Sequence, residues 1–122
     1  MGLSIEELQS AVHRYYELVD ADDVEGLVAL FDANAVYHRP GYEPLVGTTE
    51  LERFYREDRV IDKGRHTLSA TVTGDGGAAV HGAFEGVLKD GRQVALRFAD
   101  FFTFSQEGTF QTRDTFFFSP MV

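Results

Sequence analysis

The sequence predicts an α+β domain with helices packed on one face of a curved sheet. Three observations carry that prediction. The first half is mostly helical in its apolar spacing, with one short strand inside it. From His66 onward, strand-like runs alternate with glycine-bearing turn clusters. A chain of 122 residues is long enough for a real core and too short for two domains, so 1–122 reads as a single domain.

The elements follow in order. Ser4 and Glu7 have the spacing of a capping box, and Leu3 and Leu8 that of a hydrophobic staple. Ile5, Leu8, Val12, Tyr15 and Val19 then recur at helical intervals, which predicts a helix over about 4–20. Asp20-Ala21-Asp22-Asp23 breaks it and supplies the cap of a short second helix, whose apolar face carries Val24, Leu27, Val28 and Phe31. Ala35 to Arg39 reads as a strand, stopped by Pro40 and Gly41, and Tyr42-Glu43-Pro44 continues as a loop. Thr48 is positioned to cap a third helix with Leu51, Phe54 and Tyr55 on its apolar side. Its remainder, Arg53 to Arg65, is densely charged with mixed signs, as an exposed helix should be. Strands are predicted over 68–73, 79–88, 92–104 and 109–118. Turns at 74–77, 89–91 and 106–108 join them into an antiparallel meander.

Composition excludes several classes. There is no cysteine, which removes disulfide scaffolds, thiolate metal sites and cysteine nucleophiles. The formal net charge of −9 argues against a nucleic-acid partner, which needs clustered lysine and arginine. Much of that charge falls on the first two helices and reads as a solvated face. No apolar run approaches the ~20 residues that span a bilayer, and residues 1–7 lack the pattern of a signal peptide, so a membrane is not expected and a cytoplasmic location is the default. His13, His38, His66 and His81 show no metal-ligand spacing, and each is a candidate catalytic base, with His81 and His38 ahead of His13 and His66.

The element order, together with the run Tyr15 to Phe31, resembles the SnoaL-like and ketosteroid-isomerase-like branch of the nuclear-transport-factor-2-like superfamily. Gly47 to Tyr55 and Ala99 to Phe104 match that family as well. The resemblance covers nearly the whole chain. It implies a cystatin-like cone: three N-terminal helices packed in a strongly curved, mixed but mostly antiparallel sheet, with an internal pocket. It also implies a homodimer built from outer sheet faces, and no cofactor. It places Tyr15 where ketosteroid isomerases carry the tyrosine of their oxyanion hole, and Asp100 where they carry its protonated aspartic acid partner. Arg39 stands where those enzymes carry the catalytic aspartate base. An arginine, with a pKa above ~12, cannot act as that base. The sequence thus keeps the oxyanion-hole pair and replaces the base, which argues against a standard ketosteroid isomerase.

Strand alternation puts Tyr37 beside Arg39, and Phe98 and Phe102 beside Asp100. The alignment turns Arg113, Thr115 and Phe117 inward on the last strand, and His81, Glu85 and Val87 inward on the strand over 79–88. His38 falls on the face opposite Arg39, and a bulge near Pro40 would reverse it. With Tyr55, these residues outline an aromatic-walled site with a few ionisable groups, suited to a hydrophobic small molecule with an oxygen handle. In this reading Asp100, Tyr15 and Arg39 carry acid/base chemistry. Tyr37, His38, Tyr55, His81, Glu85, Phe98, Phe102, Arg113 and Phe117 contact the substrate. The alternative for Arg39 is a structural bridge to Asp100 or Glu85. An epoxide-hydrolase-like site would need an arginine flanked by two aspartates, and Asp100 with Arg39 or Arg113 supplies two of the three parts.

Three functions stay open: a cofactor-free isomerase, cyclase or hydrolase; a non-catalytic binding or sensing module; and a dimerisation domain with a vestigial pocket. The first two part on whether His38, His81 or Glu85 reaches Asp100 as a proton acceptor. Nine of the 11 phenylalanines fall between Phe84 and Phe118. Parity sends Phe98, Phe102, Phe104 and Phe117 inward, and Phe101, Phe116 and Phe118 to the outer face, where exposed aromatics argue for the dimer.

Overall fold

Helix α1, Ile5–Asp20, starts at the capping box seen in the sequence. The Ser4 hydroxyl accepts from the Glu7 amide and the Glu7 carboxylate accepts from the Ser4 amide, each at 3.1 Å. The computed structural model describes residues 4–74 and 76–118, so Leu3 of the expected staple and Asp75 of the first turn lie outside the described residues. Leu8, Val12, Tyr15, Tyr16, Leu18 and Val19 form the buried stripe of α1, while Ile5 is exposed. Helix α2, Val24–Val28, is capped by Asp23, whose carboxylate accepts from the Gly26 amide at 2.9 Å.

Phe31 does not belong to α2 as expected. It opens strand β1, Phe31–His38, because its backbone pairs with Phe110. Strand β2 is the two-residue segment Leu45–Val46. Helix α3, Gly47–Arg53, follows it, and its cap corrects the sequence reading. Thr48 lies inside the helix, and Glu50 reaches back to accept from the Val46 amide at 2.7 Å. A π-helical turn, Phe54–Asp58, prolongs α3. The charged segment up to Arg65, expected to be helical, is the start of strand β3, Ile61–Gly74. A run of mixed charges suits an exposed strand face as well as an exposed helix face. The inward residues Gly64, His66 and Leu68 recur with a period of two.

Strands β4 (Gly77–Leu88), β5 (Gln93–Phe104) and β6 (Phe110–Phe118) complete the meander. Gly91 and Gly108 sit at φ 90° and 89° in the two later turns, a conformation that side chains disfavour. The six-stranded sheet has the order β2-β1-β6-β5-β4-β3. β1 and β6 run parallel and all other neighbours antiparallel, so the sheet is mixed and open. Helix α1 packs against β3 and β4, and α3 against β1. The core lies between these helices and the inner sheet face and is strongly aromatic, with Tyr15, Tyr16, Phe31, Tyr37, Phe54 and Phe102 among its members. No helix among the described residues is long and apolar enough to cross a membrane.

The sheet register tests the parity of each strand. Phe98 and Phe102 are buried, Phe104 and Phe117 half-buried, and Phe101, Phe116 and Phe118 are 51%, 54% and 71% exposed, as parity requires. On β4 the parity is the reverse of that expected. Val80 is paired with Asp100, and Gly82 with Phe98. Directly opposed residues share a face, so Val80, Gly82 and Phe84 point inward while His81 and Glu85 point outward and are exposed.

Candidate functional site

Among the described residues the inner face holds three buried polar side chains besides the tyrosines, Asp100, Arg113 and Thr115, and Asp100 is 0% exposed. A charge so placed must be paired and hydrogen-bonded. Asp100 on β5 is directly opposite Thr115 on β6, and Thr115 donates to its Oδ1. Arg113 Nη2 lies 2.9 Å from Oδ2, and the Tyr16 hydroxyl donates to that same oxygen from α1. The carboxylate thus accepts from three donors. Thr115 has one hydroxyl hydrogen, used on Asp100, and its oxygen also lies 3.3 Å from the Tyr37 hydroxyl.

Arg113 extends the network away from Asp100. Its guanidinium stands 4.5 Å from the ring centres of both Tyr15 and Tyr37. Its Nη1 donates to the hydroxyls of Tyr15 and of Tyr55, the latter at 3.1 Å, and these two phenols are hydrogen-bonded to each other. Only one phenolic hydrogen can lie between them. The second has no acceptor among the described residues, and the buried Arg113 Nε is likewise without one. The cluster therefore carries more donors than acceptors.

Electrostatics keep those donors protonated. Burial pushes the Tyr15 phenol well above its ordinary range, against the opposing pull of Arg113. Burial, and then the adjacent Asp100 charge, does the same for Tyr16. Burial raises Tyr55 to about 12. For Arg113, burial opposes the charge, but Asp100 and the tyrosines around it outweigh that and hold the guanidinium above its usual range.

The structure thus brings Asp100, Tyr15, Tyr37, Tyr55, Phe102 and Arg113 together, with Phe98 beside Tyr16 at 5.7 Å between ring centres. It does not bring Arg39 to them by any hydrogen bond or ion pair. Arg39 lies over the rings of Phe117, Phe54 and Tyr42 at 5.2, 5.8 and 5.9 Å, with a buried Nε that has no partner. The arginine that bridges to Asp100 is Arg113. His38 is exposed and meets Asp114 at 2.7 Å, His81 meets Arg97 at 3.0 Å on the outer face, and Glu85 lies opposite Arg65. Tyr16, one step from Tyr15, where an assignment between neighbouring tyrosines can slip, is the tyrosine that bonds Asp100. A signal was present, since Val12, Tyr15, Tyr16 and Val19 follow the i, i+3, i+4, i+7 spacing of one helix face.

Asp100 itself is fully enclosed by its neighbours. A cavity of about 290 Å³ between α2, the π-helical turn and β3 reaches Tyr55, with Val24 and Ile61 as its apolar walls and Arg56 and Arg59 beside them. Tyr55 is the member of the polar cluster that lines it. A cavity of about 440 Å³ is lined by Arg39, His38, Tyr42 and Thr115.

An open mixed sheet with three helices on its inner face is an α+β fold, and its architecture is that of NTF2-like proteins. A crystallised NTF2-like protein of unknown function from Burkholderia pseudomallei K96243 superposes with a TM-score of 0.84. It has 19% identity and covers 95% of this chain and 92% of its own. The epoxide hydrolase/cyclase-like enzyme SalBIII, which has a role in pyran ring formation in the polyether salinomycin, superposes with a TM-score of 0.81. Its identity is also 19%, covering 93% of this chain and 92% of its own. Residues 12–111 match the SnoaL-like domain family, and the chain belongs to that family.

Proposed function

We propose that the protein binds a small hydrophobic molecule through an oxygen atom, and that Tyr15, Tyr55 and Arg113 polarise that oxygen for cofactor-free acid/base chemistry. The reaction would be an isomerisation, a cyclisation or a ring opening. The observation that carries this reading is the donor surplus: a buried phenolic hydrogen and a buried guanidinium Nε without acceptors. A carbonyl, carboxylate or ether oxygen of a ligand would satisfy them, and an unfilled buried donor costs about 1–3 kcal/mol. Asp100 neutralises Arg113 and orients Tyr16. Arg39, stacked on three aromatic rings without an anionic partner among the described residues, is the second candidate oxygen ligand. The epoxide hydrolase/cyclase-like neighbour is compatible with ring chemistry. The Arg113–Asp100 pair again supplies two of the three groups of an arginine flanked by two aspartates.

A second reading is a binding or sensing module with the same pocket. It is favoured by the outward orientation of His38, His81 and Glu85, which leaves none of them beside Asp100 as a proton acceptor.

Thermal-shift screening with aromatic enones, lactones and fatty acids tests the shared site. The expected result is stabilisation of the wild type by at least one class, sharply reduced in Tyr55→Phe, which keeps the ring and removes the donor, and in Arg39→Ala. Equal shifts in the wild type and both variants would sink the site. Catalysis is then separated from binding by turnover of the stabilising compound.

A further inference from the structure

A second polar pair lies beside the Asp100 cluster, and no step described so far uses it. Asp20 closes α1, and His66 points inward from β3. Both oxygens of Asp20 are spent on His66. Oδ2 accepts the His66 backbone N–H at 2.8 Å, and Oδ1 meets the imidazole Nδ1 at 2.6 Å. The backbone bond fixes the carboxylate, which then presents its other oxygen to the ring. A carboxylate only accepts, so Nδ1 carries the hydrogen, and in the neutral imidazole Nε2 keeps its lone pair.

The surroundings of the ring are apolar. Phe84, Tyr16 and Phe98 stand 4.7, 5.2 and 5.4 Å from it between ring centres, and its side chain is 12% exposed. Nε2 makes no hydrogen bond among the described residues. Tyr16, which shares this wall, is bonded to Asp100 and packs 5.1 Å from the Tyr15 ring. A structural tie between α1 and β3 is already made by the backbone N–H. The imidazole adds an unfilled proton acceptor to the same aromatic interior that holds the donor surplus.

We propose that His66 is the proton acceptor of this site and that Asp20 is its positioning residue. This rests on the reading of the interior as a ligand site. A ligand lying against Tyr16, Phe84 and Phe98 loses a proton from an acidic C–H or O–H bond to Nε2. The electron pair of that bond stays on the ligand and delocalises onto the oxygen held by the phenolic and guanidinium donors. Asp20 stabilises the imidazolium, and the proton returns to the ligand at turnover, so no oxidant or further reactant is needed.

The test has two arms. In protein labelled with ¹⁵N-histidine, two-bond proton–nitrogen correlation reports the tautomer of each ring. His66 is expected as Nδ1–H with a bare Nε2, and Asp20→Asn is expected to remove that preference. A wild-type His66 with the hydrogen on Nε2 overturns the proposal. In the second arm, 2-tetralone in D₂O serves as a probe, and deuterium exchange next to its carbonyl is followed by proton NMR. Exchange is expected to exceed that in buffer, to fall by about 10²-fold or more in His66→Gln, and to fall in Asp20→Asn as well, since the orienting carboxylate is lost. Thermal stabilisation by 2-tetralone should persist in both variants, which also shows that they fold. Stabilisation with no exchange, or exchange that survives His66→Gln, overturns the role of His66 and leaves the binding site intact. Absence of any stabilisation strikes the binding reading instead, and the tautomer then decides the Asp20–His66 pair alone.

Discussion

Arg113 and Asp100 form a buried ion pair on neighbouring strands without being opposite one another, with Nη2 2.9 Å from Oδ2. Thr115 faces Asp100, and Phe102 faces Arg113, so the bridge runs diagonally across the ladder. Diagonal positions lie about 7–8 Å apart, within reach of a long arginine side chain. The directly opposed Thr115 takes the other carboxylate oxygen.

Removing one partner should leave the other charge buried and alone. Asp100→Ala is expected to destabilise the protein by about 3–5 kcal/mol in denaturant unfolding, with Arg113→Met comparable. The double variant Asp100→Leu with Arg113→Met should lose much less than the sum, since an apolar pair leaves no orphan charge. Additive losses would mean that the two residues are not energetically coupled.

The buried phenols make alkaline stability predictable. Tyr55 is raised from 10.0 to about 12, and Tyr15 and Tyr16 lie well above the same starting value, all first through burial. Below pH 10 both folded and unfolded chains hold these protons, so stability is unaffected. Between pH 10 and about 12 the unfolded chain loses them while the folded one keeps them, and stability must fall. Urea unfolding at stepped pH, with tyrosinate absorbance recorded in parallel, should show that decline steepening above pH 10. Tyr55→Phe should flatten part of it.

Two glycines of the sheet should respond oppositely to alanine. A Cβ on Gly82 would stand 2.4 Å from the Thr67 carbonyl oxygen and 3.2 Å from Phe98 Cε1, so Gly82→Ala should cost roughly 1–3 kcal/mol. A Cβ on Gly74 would meet nothing within 4 Å, and Gly74→Ala should be close to neutral. Paired thermal melts check both.

The outer sheet face bears Phe101 and Phe116 in edge contact at 5.7 Å, with the Arg97 guanidinium 4.8 Å above the Phe118 ring. The proposed homodimer would cover these rings. Analytical ultracentrifugation is expected to give twice the chain mass for the wild type, and Phe101→Ser with Phe116→Ser to halve it. A monomeric wild type would end the dimer proposal.

Local chemistry was legible at several places. Ser4 and Glu7 closed their capping box, and the outward phenylalanines of β5 and β6 followed from alternation alone. Asp100 stood out as an acid in an apolar run, and it is the centre of the buried cluster. Its partners were harder to assign. Arg39 and Arg113 are equally arginine in sequence, and Tyr15 and Tyr16 are adjacent. A helix turns about 100° per residue, so both tyrosines can face the core while their hydroxyls reach different partners. On β4 an alignment slip of one residue exchanged the inward set for the outward one.

What the sequence determined by itself was the order of elements apart from β2 and the start of β3, the aromatic interior, the acidic helical surface and the presence of a buried acid. These depend on residue type and spacing within one segment. Which arginine neutralises Asp100, which tyrosine bonds it, and that Asp20 meets His66 46 positions away were decided only by the tertiary structure. Those contacts depend on the register between β5 and β6 and on how α1 lies across β3, and both are set by packing of the whole core rather than by any local pattern.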